Sequence, residues 1–186
     1  IRIYPQEWHG HISMRVDMIA GETNTDKTPA LGDLQYSAHS SSGNWGGDAI
    51  GTSHGAGRLD SGRAWSAAKT SDAVGEWYQL SLNAPVNISG VVMKGRPDAA
   101  QWITSVKIQY EDENGGFKDV DGGFIFDGNY DQNSLVKIFF AKPIRSKAIR
   151  FYPQSWYGHA SGRFGILRGG EVSSTEKYQI MGYTFE

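Results

Sequence analysis

The sequence has no cysteine, so no disulfide frame and no cysteine-ligated zinc can hold this chain together. At 186 residues it is long enough to bury a core without such staples. It also lacks any apolar run approaching the roughly 18 residues of a membrane-spanning helix. One-sided charge is absent as well: 18 Lys and Arg stand against 20 Asp and Glu, interspersed, for a net charge of −2. A nucleic-acid partner, which demands a basic face, is therefore not expected. There is no Gly-x-Ser-x-Gly elbow, no His-Glu-x-x-His and no glycine loop leading into a helix. Ser, His and Asp are plentiful but sit in turn-rich segments, so no catalytic constellation is expected and the chain reads as a non-enzyme. The five histidines, at positions 9, 11, 39, 54 and 159, offer zinc-ligand spacing only at His9-x-His11.

What the chain does have is 24 Gly, 6 Trp, 9 Tyr and 8 Phe, a composition of short strands joined by turns. It also has one long internal repeat. Residues 1–19 align without gaps on residues 149–167, and ten of the nineteen pairs are identical. These include Tyr4/Tyr152, Pro5/Pro153, Trp8/Trp156, Gly10/Gly158, His11/His159 and Arg15/Arg163. The offset of 148 positions is one domain length, too long for a solenoid unit. The expected organisation is a C-terminal hairpin of a preceding copy at 1–19, a polar linker at 20–29, a complete domain at 30–167, and an extension at 168–186 with a further strand. The second member of the histidine pair recurs but the first becomes Tyr157, which argues against a repeated metal site.

Strand signals run through the second half. Glu76 to Leu82 alternates, with Tyr78, Leu80 and Leu82 on one face. Val86 to Met93 and Trp102 to Glu111 follow, and Asn114-Gly115 is a hairpin turn returning through Phe117 to Val120. Phe124 to Phe126, Leu135 to Phe140, Lys147 to Tyr152 and Arg163 to Leu167 complete the set. Roughly eight short strands without an amphipathic helix predict an all-β, antiparallel β-sandwich or jelly roll. Between Ser37 and Arg63 the chain is loop, and Trp45 stands among glycines as either a plug on the core or an exposed anchor.

Several segments together resemble the discoidin family, the coagulation factor V/VIII C-type domains. They are Ala30-Leu-Gly, Gly57-Arg-Leu-Asp, Trp65-Ser-Ala-Ala-Lys-Thr, Glu76-Trp-Tyr-Gln-Leu, Gly90-Val-Val-Met-Lys-Gly-Arg, Trp102-Ile-Thr-Ser-Val-Lys-Ile, Phe126-Asp-Gly-Asn and Ile149-Arg-Phe-Tyr-Pro-Gln-Ser-Trp. The resemblance covers residues 30–167 in order and spacing. It implies a galactose-binding-like jelly roll with loops protruding from one end, and binding rather than catalysis. Across the family the targets include sugars, anionic membranes, collagen and other protein surfaces. Carried over by position, the first loop is Gly43 to Asp48, the second Gly95 to Trp102 and the third lies around Asp119 to Gly123. The disulfide that brackets animal members has no counterpart here.

The ligand-binding candidates are Trp45, Asp48, Asp72, Arg96, Asp98, Trp102 and Trp156. Exposed tryptophan offers a large apolar face with an N–H donor. Arg96, with Lys94, suits phosphate or carboxylate, and the aspartates suit sugar hydroxyls or a cation. Local loop capping is the competing reading for Asp72 and Asp98, and packing is the competing one for Trp156, His159 and Arg163. No cofactor is expected. Asp119 with Asp121 and Asp127 with Asp131 supply oxygen ligands for a structural calcium, though without calcium-loop spacing. The expected partner is a glycan or a cell-surface or matrix protein, met outside the cell or at its surface. Residues 1–19 are expected to engage other copies or another chain. An anionic membrane surface is the third reading, and a structural component of a tandem-domain assembly is the main alternative to recognition.

Overall fold

A computed structural model describes residues 30–32 and 34–169 of the chain. The hairpin expected at 1–19, the linker at 20–29 and the strand expected beyond 170 lie outside the described residues. Among the described residues nine strands run β1 (Ala30–Gly32), β2 (His39–Ser41), β3 (Trp65–Ser66), β4 (Tyr78–Lys94), β5 (Trp102–Glu111), β6 (Phe117–Asp119), β7 (Ile125–Asp127), β8 (Val136–Tyr157) and β9 (Ser161–Arg168). Every strand pair is antiparallel, and the fold is a jelly-roll β-sandwich.

Two of these strands are longer than the sequence suggests. Asn83-Ala-Pro85 and Ala141-Lys-Pro143 read as breaks, yet β4 spans 17 residues and β8 spans 22. The prolines fall at exposed or half-exposed positions beside register shifts between Ser81 and Val86 and between Ile88 and Gly90. Here a missing N–H is tolerated. Because each long strand bends across these irregularities, both halves of the sandwich share it. The first half of β4 pairs with β2 and with the last part of β8, which goes on to β5, β6 and β7. The second half of β4 pairs with the first part of β8 and with β9, which also carries β1 and β3.

The core lies between these two layers. Tyr78, Leu80, Val106, Ile108, Ile149 and Phe151 face Val91, Met93, Ile138, Phe140, Phe164 and Ile166, all buried. Phe164 is the meeting point, with ring centroids 4.9 Å from Tyr78, 4.6 Å from Phe151 and 5.9 Å from Trp65. Each such buried side chain contributes roughly 1.5–3 kcal/mol of transfer free energy. Trp65 is fully buried and donates its indole N–H to the Gly43 carbonyl at 3.0 Å, tying the first loop to the core. On the outer face the Arg150 guanidinium lies 4.2 Å from the Trp77 ring and 3.6 Å from the Phe117 ring, and donates Nε–H to Gln79 at 2.7 Å. That sandwich gives Arg150, which aligns with Arg2 in the repeat, a packing role.

Candidate functional site

One end of the sandwich gathers the start of β5, the end of β8, the start of β9 and the end of β3. Their connections converge there: Ala67 N–H donates to the Ala160 carbonyl at 3.0 Å, and Asn129 N–H to that of Ile103 at 2.7 Å. The loops so assembled are 43–48, 59–63, 67–76, 95–101, 128–134 and 158–160.

Trp45 opens a short 3-10 turn, Trp45–Gly47, in which Gly46 and Gly47 take φ of 70° and 73°. The left-handed backbone there explains the glycine pair. The loop is braced below by Ser41 donating to the Asn44 carboxamide at 2.7 Å and by Asn44 Nδ2 donating to the Asp48 carbonyl at 2.6 Å. Asp48 accepts from the ring Nδ1 of His54 at 2.7 Å and from its backbone N–H at 3.2 Å. The His54 hydrogen bond lowers the Asp48 carboxyl pKa. Asp48 thus works inside its own loop. Trp45 does not plug the core: it is 43% exposed, edge-on to His159 at 5.5 Å.

Arg96 and Asp98 come together, but on each other. Arg96 donates Nε–H and an Nη–H to the two Asp98 oxygens at 2.8 and 3.1 Å, and a third N–H to Gln101 Oε1 at 3.0 Å. Arg63 adds a further ion pair to Asp98. The Arg96 hydrogen bonds, with help from Arg63 and against some burial, hold the Asp98 carboxyl down to about 2. The guanidinium expected to take an anion is therefore committed to a neighbour. Gln101 Oε1 also accepts from Ser161 at 3.2 Å, so its carboxamide is fixed with the NH2 turned away from both donors.

Trp102 and Tyr157 are cross-strand partners and stack at 4.5 Å with 14° between ring planes. Tyr157 is 56% exposed. Behind them Ser155 lies 2.6 Å from both Thr104 and Ser105 hydroxyls. Trp156, one residue from Tyr157, is half-buried and packs on the core. Tyr157 was not among the candidates, because the repeat directs attention to its neighbour.

His159 is buried and donates Nε2–H to the Ala67 carbonyl at 2.8 Å. Arg163 is 5% exposed and bonds to no carboxylate. It donates to the carbonyls of Gly95 at 2.8 Å, Gln132 at 2.9 Å, Ser61 at 3.3 Å and Leu59 at 3.5 Å, and to Asn133 Oδ1 at 3.1 Å. Burial lowers its pKa. The packing reading of this repeated arginine fits, with carbonyl oxygens in place of an acid.

Asp72 is exposed on the 67–76 loop. The third loop is a correction. Asp119 is level with Gln109, far along β5 from Trp102, about seven residues or roughly 23 Å away. The segment Val120–Gly123 lies beside the middle of β5 because Val120 is buried in the core between β6 and β7. The loop 128–134 stands at the end where β5 starts instead. Three of the four paired aspartates are engaged locally: Asp119 accepts from Gln109 at 2.7 Å, Asp121 from the Ala141 N–H at 2.9 Å and Asp131 from Ser134. Among the described residues no three His, Asp or Glu side chains are grouped to hold a metal.

The F5/8 type C domain model matches residues 35–166. The chain belongs to the F5/8 type C domain family. Mouse lactadherin is 28% identical over 181 residues, covering 90% of this chain and 39% of that protein. Discoidin-2 of Dictyostelium discoideum is 30% identical over 111 residues, covering 60% of this chain and 42% of that protein. The chain spans about two fifths of the length of these curated relatives. Among solved structures, the CBM32-1 and CBM32-2 domains of Clostridium perfringens ZmpB, in complex with GalNAc, align with a TM-score of 0.56 at 19% identity. That alignment covers 74% of this chain and 36% of the other. In this F5/8 type C chain Trp45, the Trp102–Tyr157 stack and the Arg96–Asp98–Arg63 group lie at the end where β5 starts and β8 ends.

Proposed function

We propose that this chain is a non-catalytic recognition module, working outside the cell or at its surface, that binds a glycan through its loop end. The observation that carries the reading is the Trp45 ring: it is 43% exposed, on a loop braced from below. An indole held open on such a loop suits the apolar face of a sugar ring. The ZmpB domains, which share the fold, are described with GalNAc bound. An anionic lipid surface is less well supported, because Arg63 and Arg96 already face Asp98 and Arg163 is buried on carbonyls. A glycan array and anionic vesicles, each presented to the native chain and to Trp45→Ala, test the reading. Glycan binding lost in Trp45→Ala supports it, and binding to vesicles with no glycan response overturns it.

A second reading is favoured by the repeat. Ten identities recur between 1–19 and 149–167, and the lactadherin match takes in 90% of the chain, more than the single family-model span. On this reading the module is one unit of a tandem-domain protein, assembling with other copies or another chain through residues 1–19.

A further inference from the structure

The loop end carries two aromatic platforms rather than one. The Trp45 ring packs edge-on against His159, the last residue of the turn Tyr157 to His159. Tyr157, the first residue of that turn, has one face covered by Trp102 and is 56% exposed. The turn itself is closed by the His159 N–H donating to the Tyr157 carbonyl at 2.8 Å, with Gly158 at φ 67°. Gly158 presents no side chain, and a Cβ there would meet the Ala100 carbonyl at 2.8 Å and Gln101 Cγ at 3.2 Å. The floor between the platforms is thus low and backbone-lined, bordered by Gln101. Because Arg96 and Ser161 both donate to Gln101 Oε1, the amide Nε2 keeps its two N–H groups for another acceptor. The closed turn keeps its two end residues within the roughly 7 Å that two extended residues would span, and the Trp45 ring lies a further 5.5 Å from the histidine ring.

We infer that this is an extended site for an oligosaccharide chain, with one sugar on Trp45, a second on Tyr157 and the Gln101 amide donating to a hydroxyl or glycosidic oxygen between them. The inference rests on the glycan reading above and deepens it: the ligand class is a run of linked sugars, not a single terminal residue. Stacked and braced rings lose little side-chain freedom on binding, so each added sugar that reaches a platform adds affinity. A single sugar covers one platform only.

The test is isothermal titration of the native chain with matched mono-, di-, tri- and tetrasaccharides of galactose, N-acetylgalactosamine, glucose and mannose. Affinity is expected to climb at least tenfold between one sugar and three in at least one series. In Tyr157→Ala the ratio of trisaccharide to monosaccharide affinity falls to near one, and in Tyr157→Phe, which keeps the ring, it stays high. Thermal unfolding of both variants checks that the sandwich is intact. Equal affinity for one sugar and three, or a length dependence untouched in a folded Tyr157→Ala, overturns the extended site while leaving the glycan reading standing. Absence of binding in every series overturns both.

Discussion

Arg163 is the side chain on which the loop end most depends, and its removal makes a quantitative prediction. Its guanidinium joins three loops through Gly95, Gln132 with Asn133, and Leu59 with Ser61. Three of the contacts fall between 2.8 and 3.1 Å, while those to Ser61 and Leu59 are long and weak. A hydrogen bond to a charged group is worth about 1.5–3 kcal/mol, so the three good ones set a gross value of about 5–9 kcal/mol. Desolvation, visible as the lowered arginine pKa, offsets part of it. Truncation also strands buried carbonyl oxygens. The net expectation for Arg163→Ala is a loss of about 3–5 kcal/mol, a large share of the stability of an ordinary domain. For a domain of this size that lowers Tm by roughly 10 °C. Lysine keeps the charge but cannot reach all three loops, so Arg163→Lys falls between. The assay is urea unfolding with calorimetry. Guanidinium chloride at low millimolar concentration, well below its denaturing range, is then added. It should raise the Tm of Arg163→Ala and leave the native Tm unchanged, because the oxygen cage is open only in the variant. A loss under about 1 kcal/mol would refute the assigned role. The same cage bears on calcium: with Arg163 as resident cation, chelator should leave the native Tm unchanged.

Two further predictions concern pH and packing. Asp98 has its folded pKa depressed to about 2 from 3.8, so its contribution is present above the unfolded value and is lost as pH falls through the folded one. Its carboxyl carbon, followed by NMR, should therefore titrate near 2, with the 95–101 loop unchanged from neutrality down to about pH 4. Arg96→Gln should raise that midpoint, and a native midpoint near 3.8 would contradict the ion-paired fork. Gly90 pairs with Phe139 beside a register shift, and a Cβ there would press into the Ile138 carbonyl and the Phe139 backbone. Gly90→Ala should cost about 1–3 kcal/mol by urea unfolding, and a neutral result would mean that the two long strands separate there easily.

Strand phase was legible where the alternation is simple. Tyr78 and Leu80 point inward as the sequence indicates, and β5 runs from Trp102 to Glu111 as expected. The strand ends expected at Leu82 and Phe140 were misplaced, because a proline on an exposed bend, as at Pro85 and Pro143, ends no strand whose partner can shift register around it. Tyr157 could not be found by phase. Counting alternate residues from buried Phe151 puts Tyr157 inside and Trp156 outside. Register shifts between Ile103 and Ser105 and between Ser105 and Val106 move the pattern by one, and the exposures reverse. The Arg96–Asp98 fork was also hidden, since two adjacent charges read equally well as a ligand pair or as each other's partner. Recurrence of Arg163 marked it as needed in both copies, but nothing in a sequence announces that its partners are backbone carbonyls.

The pairing of β1 with β9 sets how this module behaves under tension. Ala30 faces Arg168 across an antiparallel ladder, so the first and last strands leave the sandwich side by side. Ser161, by contrast, starts β9 at the loop end, seven residues away. A ligand held by the loops and a chain held at these two strands would pull along opposite directions of the same strand. Tension applied between Ala30 and Arg168 would instead load the three β1 pairs one after another, as in opening a zip. The short strand β1 would therefore peel away at low force, while β9, clamped on its other side by β4, would stay seated with the loops at its far end undisturbed.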